Sequence, residues 1–176
     1  MAIYRHFKDA AELADAVLAK VLDGLEADIP RAAGWQKRTE AWIRHIYRRL
    51  VETPQCAGGL SSGMGTSTAW IRASILLKEI LEEGGFRGKA LHEATFWITL
   101  STGAFAQQTL AQPIAAHIDD ALAAIHRLPP AEFERVASFV PDIPRVFTHS
   151  LDIVTERVMA SVAAMHAQQQ RRRTPG

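Results

Sequence analysis

The chain of 176 residues has one cysteine, Cys56. A single cysteine excludes an intramolecular disulfide and a Cys-based zinc site within this chain, as is usual for a reducing cytoplasm. No apolar run approaches the roughly 20 residues of a membrane span, and the first residues lack the charged-then-apolar pattern of a signal peptide. We therefore predict a cytoplasmic protein with no membrane partner, in which Cys56 is a small buried residue.

An excess of positive charge is also missing, since 20 Lys and Arg residues stand against 19 Asp and Glu residues, for a formal net charge of +1. This balance excludes nucleic-acid binding by a basic field over the whole chain, so any DNA contact must be local. The seven histidines form neither a His-Glu-x-x-His nor a Glu-x-x-His motif. We predict no metal and no cofactor, and we interpret the histidines as structural or surface groups.

Alternating two-residue patterns bounded by turns do not occur, so the sequence predicts no strands and an all-α fold. Apolar residues instead recur at helical spacing between prolines and glycines. Leu13, Val17, Val21 and Leu25 define the first helix, which begins after Asp9, with Glu12 as the partner of an approximate capping box. The further predicted helices are Trp35–Glu52, Thr68–Glu83, Lys89–Leu110, Ile114–Leu128, Ala131–Val140 and one that includes Phe147–Met165.

Two of these helices carry specific expectations. The third, Thr68–Glu83, is predicted to bury Ile71, Ile75 or Leu76, and Ile80, and to end at Gly84-Gly85, after which Phe86 packs back on it. The helix from Trp35 has a basic face, formed by Lys37, Arg38, Arg44, Arg48 and Arg49. A basic stripe of this kind is usually a solvated surface, and otherwise a site for a partner or a phosphate.

Gly59-Leu60-Ser61-Ser62-Gly63 matches the G-x-S-x-G pattern of a hydrolase nucleophile elbow. That motif needs a strand that feeds a helix, whereas this stretch lies between predicted helices, so we interpret it as a flexible connection. The spacing of the other residues yields no set of acid, base and nucleophile. The sequence therefore does not predict an enzyme.

Aromatic and polar residues within the helical body offer the apolar walls and few polar groups that a small-molecule pocket needs. We predict ligand contacts from eight of them, and the alternative for each is a place in the core or a subunit interface. The eight are Trp42, His45, Met64, Trp70, Trp97, Thr102, Phe105 and Gln108.

The opening run Ile3-Tyr4-Arg5-His6-Phe7-Lys8, followed by the Leu13 and Val17 stripe, resembles the junction between the recognition helix and the linking helix of the TetR/AcrR family of bacterial transcription regulators. In that family the junction stands behind two further helices of a helix-turn-helix. The resemblance implies that residues 1–8 are a remnant of the recognition helix and that residues 9–28 form the linking helix. It further implies an effector-binding and dimerisation domain over residues 35–167, followed by a flexible tail over residues 168–176. We expect Met1 to be an internal methionine of a longer protein.

The resemblance also implies residue roles. Tyr4 and His6 match family contacts to DNA, and Arg5 and Lys8 stand beside them, but operator binding requires the missing helices, which hold the recognition helix in the groove. The resemblance further implies a homodimer, built from the long helix before Leu110 and the last helix, whose apolar residues recur at nearly heptad spacing. The interface residues would be Phe96, Leu100, Phe147, Leu151, Val154, Val158 and Val162.

The resulting hypothesis is the small-molecule-binding and dimerisation body of a ligand-responsive regulator, acting as a repressor that a small apolar or amphipathic effector releases. A helical module that binds a small molecule or a protein, with no role on DNA, is the alternative from a different class.

Overall fold

The computed structural model describes residues 7–54 and 67–173, without the side chains of residues 10, 11 and 173. This part of the chain is all helical and contains no strand, which confirms the predicted fold class. The helices are α1 (Ala10–Leu22), α2 (Leu25–Asp28), α3 (Trp35–Val51), α4 (Thr68–Glu83), α5 (Gly88–Ala111), α6 (Ile114–His126), α7 (Pro130–Val136), a 3-10 segment (Ala137–Asp142), α8 (Ile143–Thr148) and α9 (Ser150–Arg173).

The first helix begins as the sequence predicts. The carboxylate of Asp9 accepts a hydrogen bond from the amide of Glu12 at 2.8 Å, and the Glu12 carboxylate accepts one from the amide of Lys8 at 2.5 Å. The prediction of one unbroken helix to Asp28 is wrong, because the chain turns at Gly24, which takes the left-handed conformation with φ +67°. Glycine adopts this conformation without a steric cost, so a second short helix starts there.

The core lies where α1, α3, α4, α5 and α9 meet. Helix α3 contributes a row of fully buried residues that includes Trp42, Ile46 and Leu50, spaced four apart as one face of a helix requires. Leu77 and Ile80 from α4 and Ile98 from α5 close the core from the other sides. Helix α3 therefore stands at the centre of the molecule.

Helix α4 buries only part of the face that the sequence predicted. Leu76, the alternative to Ile75, is half-buried against the core. Ile71 and Ile75 are each 48% exposed, whereas Trp70, Ala73 and Leu77 are buried. Ile80 is buried as expected. The turn after the helix also follows the prediction, because Gly85 has φ +92° and the fully buried Phe86 donates its amide hydrogen bond to Leu81 O at 3.0 Å.

The basic face of α3 is only partly a solvated surface. Arg38 pairs with Glu83 on α4, and Arg44 Nη1 donates to Asp152 Oδ1 on α9 at 2.6 Å. The hydrogen bond with Asp152, the largest cause, raises the pKa of Arg44 above its usual value, and Glu40 adds to this while burial opposes it. These arginines tie the central helix to its neighbours.

The chain between α5 and α9 forms an arm of short helices, α6 to α8 with the 3-10 segment, in which no described residue is fully buried. The last helix differs from its prediction at both ends. It starts after a break at His149, and it continues to Arg173 through residues predicted as a flexible tail. Gln169 holds that end in place, since its side chain donates to Gly85 O and accepts from the Arg87 amide, both at 2.8 Å.

Candidate functional site

The predicted DNA-contact residues Tyr4, Arg5 and His6 lie outside the described residues. Lys8 is exposed beside the start of α1, where its backbone amide takes part in the helix cap. Met64, Cys56 and the Gly59–Gly63 motif also lie outside the described part of the chain. Their predicted roles stay predictions.

Trp42 and Trp70, two of the predicted ligand contacts, meet each other inside the core. Their ring centroids are 6.2 Å apart in an edge contact, and the indole nitrogen of Trp42 donates to Ala73 O at 2.9 Å. Trp42 is fully buried and Trp70 is 6% exposed. In this structure both residues join α3 to α4.

His45, another predicted ligand contact, lies on a different face of α3. Its Nδ1 atom is 3.8 Å from the carboxylate of Asp28 on α2, which also accepts a hydrogen bond from Arg49 Nη2 at 2.6 Å. The Nη1 atom of Arg49 donates to Val21 O at 2.9 Å and to Asp23 O at 2.6 Å. His45 thus belongs to the polar cluster that fixes the turn between α1 and α2 against α3.

Phe105 and Gln108 line a cavity of 80 Å³ between the end of α5, the start of α6, α8 and the start of α9. Tyr47 on α3 supports two of the lining residues, since its ring stacks on Phe105 at a centroid distance of 4.9 Å and its hydroxyl lies 3.1 Å from Thr109 Oγ1. Here the structure brings two predicted ligand residues together. The remaining lining residues are Thr109, Gln112, Ile114, His117, Phe147 and Ser150.

The chemistry of this cavity is aromatic and uncharged. Phe105 and Phe147 form its walls, and the imidazole of His117 packs on the Phe147 ring with centroids 4.6 Å apart. The amide of Gln112 is engaged, because it donates to Asp120 at 2.7 Å. Among the described residues, no Asp, Glu, Lys or Arg side chain lines the cavity. An apolar body with a few polar atoms fits such a site.

Thr102, one turn before Phe105 on α5, is 2% exposed, and its hydroxyl has no hydrogen-bond partner in the described part of the chain. The neighbouring Thr99 behaves as helical threonines usually do, because its hydroxyl donates to Thr95 O at 2.9 Å. A buried hydroxyl without a partner is unfavourable and calls for an explanation.

A second cavity, of 240 Å³, lies between α1, α2 and α4. Its walls are apolar at Leu22, Leu25 and Leu76, and its rim carries two carboxylates and the guanidinium of Arg72. None of the seven predicted ligand residues that the structure describes lines it. The other lining residues are Ala19, Asp23, Gly24, Glu26, Ala69 and Ala73.

Trp97 does not reach either cavity. It is 40% exposed on the outer face of α5, between Phe96 at 66% and Leu100 at 46%. Large apolar side chains that are adjacent and exposed mark a surface that another molecule covers. We name Phe96, Trp97 and Leu100 the α5 stripe.

The predicted interface residues of the last helix divide into two groups. Val158 and Val162 are buried inside the subunit's own core, whereas Leu151 and Val154 are half-buried at its edge. Phe147 belongs to α8 and lines the aromatic cavity. On the exposed side of α9 lie Ile153 and the small residues Ala160, Ala163, Ala164 and Ala167. The heptad-like apolar spacing therefore describes the inner side of α9.

Several residues of the aromatic cavity were not predicted. Thr109 lines the cavity one turn after Phe105. Tyr47 on α3 supports Phe105 by stacking on its ring, and a stacked aromatic residue within a core helix has no distinctive sequence pattern. Gln112 and His117 reach the cavity because the chain turns from α5 into α6, and Ser150 reaches it from the start of α9. Within residues 7–54 and 67–173 no group of three metal-ligating side chains occurs, and no helix there is long and apolar enough to span a membrane.

Comparisons with known proteins give one informative match. No protein-family model matches the sequence, and no curated protein matches it. Among solved structures, the Streptomyces coelicolor TetR family protein ActR, in complex with actinorhodin, superposes with a TM-score of 0.62 at 17% sequence identity. The match covers 92% of this chain and 81% of that chain. The chain therefore has the all-helical fold of a TetR family protein.

Proposed function

We propose that this chain is the effector-binding and dimerisation body of a ligand-responsive transcription regulator of the TetR type, acting as a repressor. The observation that supports this most is the fold shared over 92% of the chain with ActR, a TetR family protein whose structure holds a small molecule. A sequence identity of 17% supports only a shared fold, so the proposed function also rests on the chemistry of the candidate ligand site.

The effector site we propose is the aromatic cavity around Phe105 and Gln108. Its 80 Å³ is smaller than the roughly 300–1,000 Å³ of typical ligand pockets, so the ligand must displace part of its wall. The arm formed by α6 to α8 is suited to move, because none of its described residues is fully buried. The 240 Å³ cavity is larger, but its charged rim offers no aromatic surface.

A mechanical route leads from this cavity to the proposed linking segment, residues 9–28. Tyr47 contacts the cavity through Phe105 and Thr109, and Arg49, two residues further along α3, binds the carbonyls of Val21 and Asp23. A ligand that displaces Phe105 would shift α3 and with it the end of α1. In the proposed regulator this movement changes the separation of the DNA-reading heads.

The second part of the proposal is a homodimer through the α5 stripe and the exposed side of α9. Two-fold pairing of these helices buries Phe96, Trp97 and Leu100 in a four-helix bundle. The alanines of α9 allow the close approach of a second helix. In the same proposal residues 1–8 form the end of a recognition helix, with Tyr4, Arg5, His6 and Lys8 toward DNA.

The test combines three measurements on the same preparation. Sedimentation should give a dimer, and uncharged aromatic compounds should raise the melting temperature by binding the folded state. The protein, translated with whatever precedes Met1 in its reading frame, should shift DNA from the region upstream of its own gene, and the same compounds should abolish the shift. A ligand-binding dimer that shifts no DNA would favour the alternative, a helical binding module without a role on DNA.

A further inference from the structure

The 240 Å³ cavity between α1, α2 and α4 has an apolar inner part. Leu22 and Leu25, which line it, are buried, and Leu76 is half-buried against the core. Among the described residues, none lines both this cavity and the aromatic cavity around Phe105. Its volume is below the roughly 300–1,000 Å³ of pockets for drug-sized ligands, so it suits a smaller molecule with a short apolar body.

Three charged side chains line the outer part of the cavity, and they come from opposite walls. Asp23 and Glu26 stand at the turn between α1 and α2, and Arg72 stands on α4. All three residues are exposed. Within the described part of the chain, Arg72 and Glu26 form no ion pair, and Asp23 approaches only Lys20, at 3.9 Å. Opposite charges therefore line one space without pairing with each other.

This arrangement of charge favours a ligand that carries both signs. A carboxylate on the ligand can accept two hydrogen bonds from the guanidinium of Arg72, and an ammonium group can donate to Asp23 or Glu26. A ligand with a single charge would be attracted to one wall and repelled by the other. An apolar body on the same molecule would displace water from the leucines of the inner part.

We propose that the 240 Å³ cavity is a second binding site, which takes a small zwitterion with an apolar body, the chemistry of an apolar α-amino acid. Arg72 binds the carboxylate of this ligand, and Asp23 and Glu26 bind its ammonium group. The inference goes beyond the proposed function, because it assigns a ligand of different charge to a different place. Binding at this site requires neither a dimer nor DNA.

A ligand at this site would hold the turn between α1 and α2 from the side of α4. On α3, Arg49 already binds the carbonyls of Val21 and Asp23, and Gly24 of the same turn lines the cavity. A molecule that bridges Asp23 or Glu26 to Arg72 would join the turn to a third helix. Bound ligand should therefore slow amide hydrogen exchange in residues 21–28.

The test uses three probes that share one apolar body. L-leucine carries both charges, isocaproate lacks the ammonium group, and isoamylamine lacks the carboxylate. Dissociation constants of the three are measured by ligand-observed NMR titration of the full chain. The variants are R72M, which keeps most of the apolar stem of Arg72, and the double variant D23N/E26Q, which keeps the shape of both acidic side chains. R48M removes another exposed arginine, on α3, and is the matched control.

The wild type should bind leucine more tightly than either of the singly charged probes. R72M should reduce the preference for leucine over isoamylamine by about threefold to tenfold, the effect of one partly exposed charged pair, and should keep the preference over isocaproate. D23N/E26Q should do the reverse. R48M should leave both preferences unchanged, and leucine should slow exchange in residues 21–28 of the wild type.

Three results would overturn the inference. They are a wild type that does not bind leucine or does not prefer it to both other probes, a loss of preference in R48M equal to that in R72M, and unaltered exchange in residues 21–28 at saturating leucine. The proposed function fails by a different readout, because it requires a dimer that shifts DNA. A chain that binds leucine as described but shifts no DNA would retain the second site and refute the regulator.

Discussion

Trp42 illustrates how one residue can fulfil a sequence pattern and still have another role. An aromatic residue with a polar nitrogen in a helical body is what a ligand pocket requires, yet the indole of Trp42 is fully buried and donates to Ala73 O at 2.9 Å. Its neighbour Trp70 is almost as buried, but its indole nitrogen donates to no residue of the described part. Within the described part of the chain, the two tryptophans therefore differ in one side-chain hydrogen bond.

Replacement of each tryptophan by phenylalanine should measure that hydrogen bond. W42F and W70F remove the same atoms from adjacent places in the core, and W42F additionally loses the bond to Ala73 O. We expect W42F to lower the free energy of unfolding by about 0.5–1.5 kcal/mol more than W70F does. Urea unfolding followed by circular dichroism provides the comparison, and equal losses would mean that the hydrogen bond does not contribute to stability.

At the scale of elements, the sequence predicted which segments are helical better than it predicted their faces. Helix α4 has two apolar stripes, and nothing in its sequence indicates that Trp70, Ala73 and Leu77 are covered while Ile71 and Ile75 stay exposed. Which stripe is buried depends on the directions of α1, α3 and α5, which local sequence does not encode. The break at Gly24 was missed for a related reason, because glycine within a helical pattern is often tolerated.

The residues of the candidate site were also only partly predictable from the sequence. Phe105 and Gln108 were predicted from their chemistry, but the side chains that complete the cavity come from α6, α8 and α9. Their approach depends on how the arm folds back, which is a matter of tertiary contacts. The basic face of α3 likewise gave no sign that Arg44 and Arg49 would pair across helices.

Arg49 provides the prediction at this scale, because it joins α3 to the turn between α1 and α2. Its guanidinium donates to two carbonyls and one carboxylate, at 2.6–2.9 Å. R49M should lower the free energy of unfolding by about 1–3 kcal/mol and speed amide hydrogen exchange in residues 21–28. The exposed neighbour Arg48, changed to Met in the same way, is the control and should leave exchange in this segment unaltered. Equal exchange in both variants would mean that Arg49 does not hold the turn.

At the scale of the whole molecule, two groups of exposed large apolar residues lie on different helices of the core. The α5 stripe lies on one helix of the proposed dimer bundle, and Ile71 and Ile75 lie on α4. Exposure alone does not distinguish them, since Leu100 is 46% exposed and Ile71 is 48% exposed. The proposed two-fold pairing does, because it covers α5 and α9 and leaves α4 in solvent.

This similarity in exposure makes Leu100 and Ile71 a matched pair for the last prediction. L100E places a carboxylate in the proposed interface, and two-fold symmetry places the carboxylate of the second subunit in the same interface. Association must then remove both charges from water, which is unfavourable. We expect the dimer dissociation constant to rise by at least about a hundredfold, with the helical content of the subunit retained. I71E adds the same charge at an equally exposed position and should remain dimeric. Sedimentation velocity across a concentration series distinguishes the two variants, and a dimeric L100E or a monomeric I71E would exclude the α5 stripe as the subunit interface.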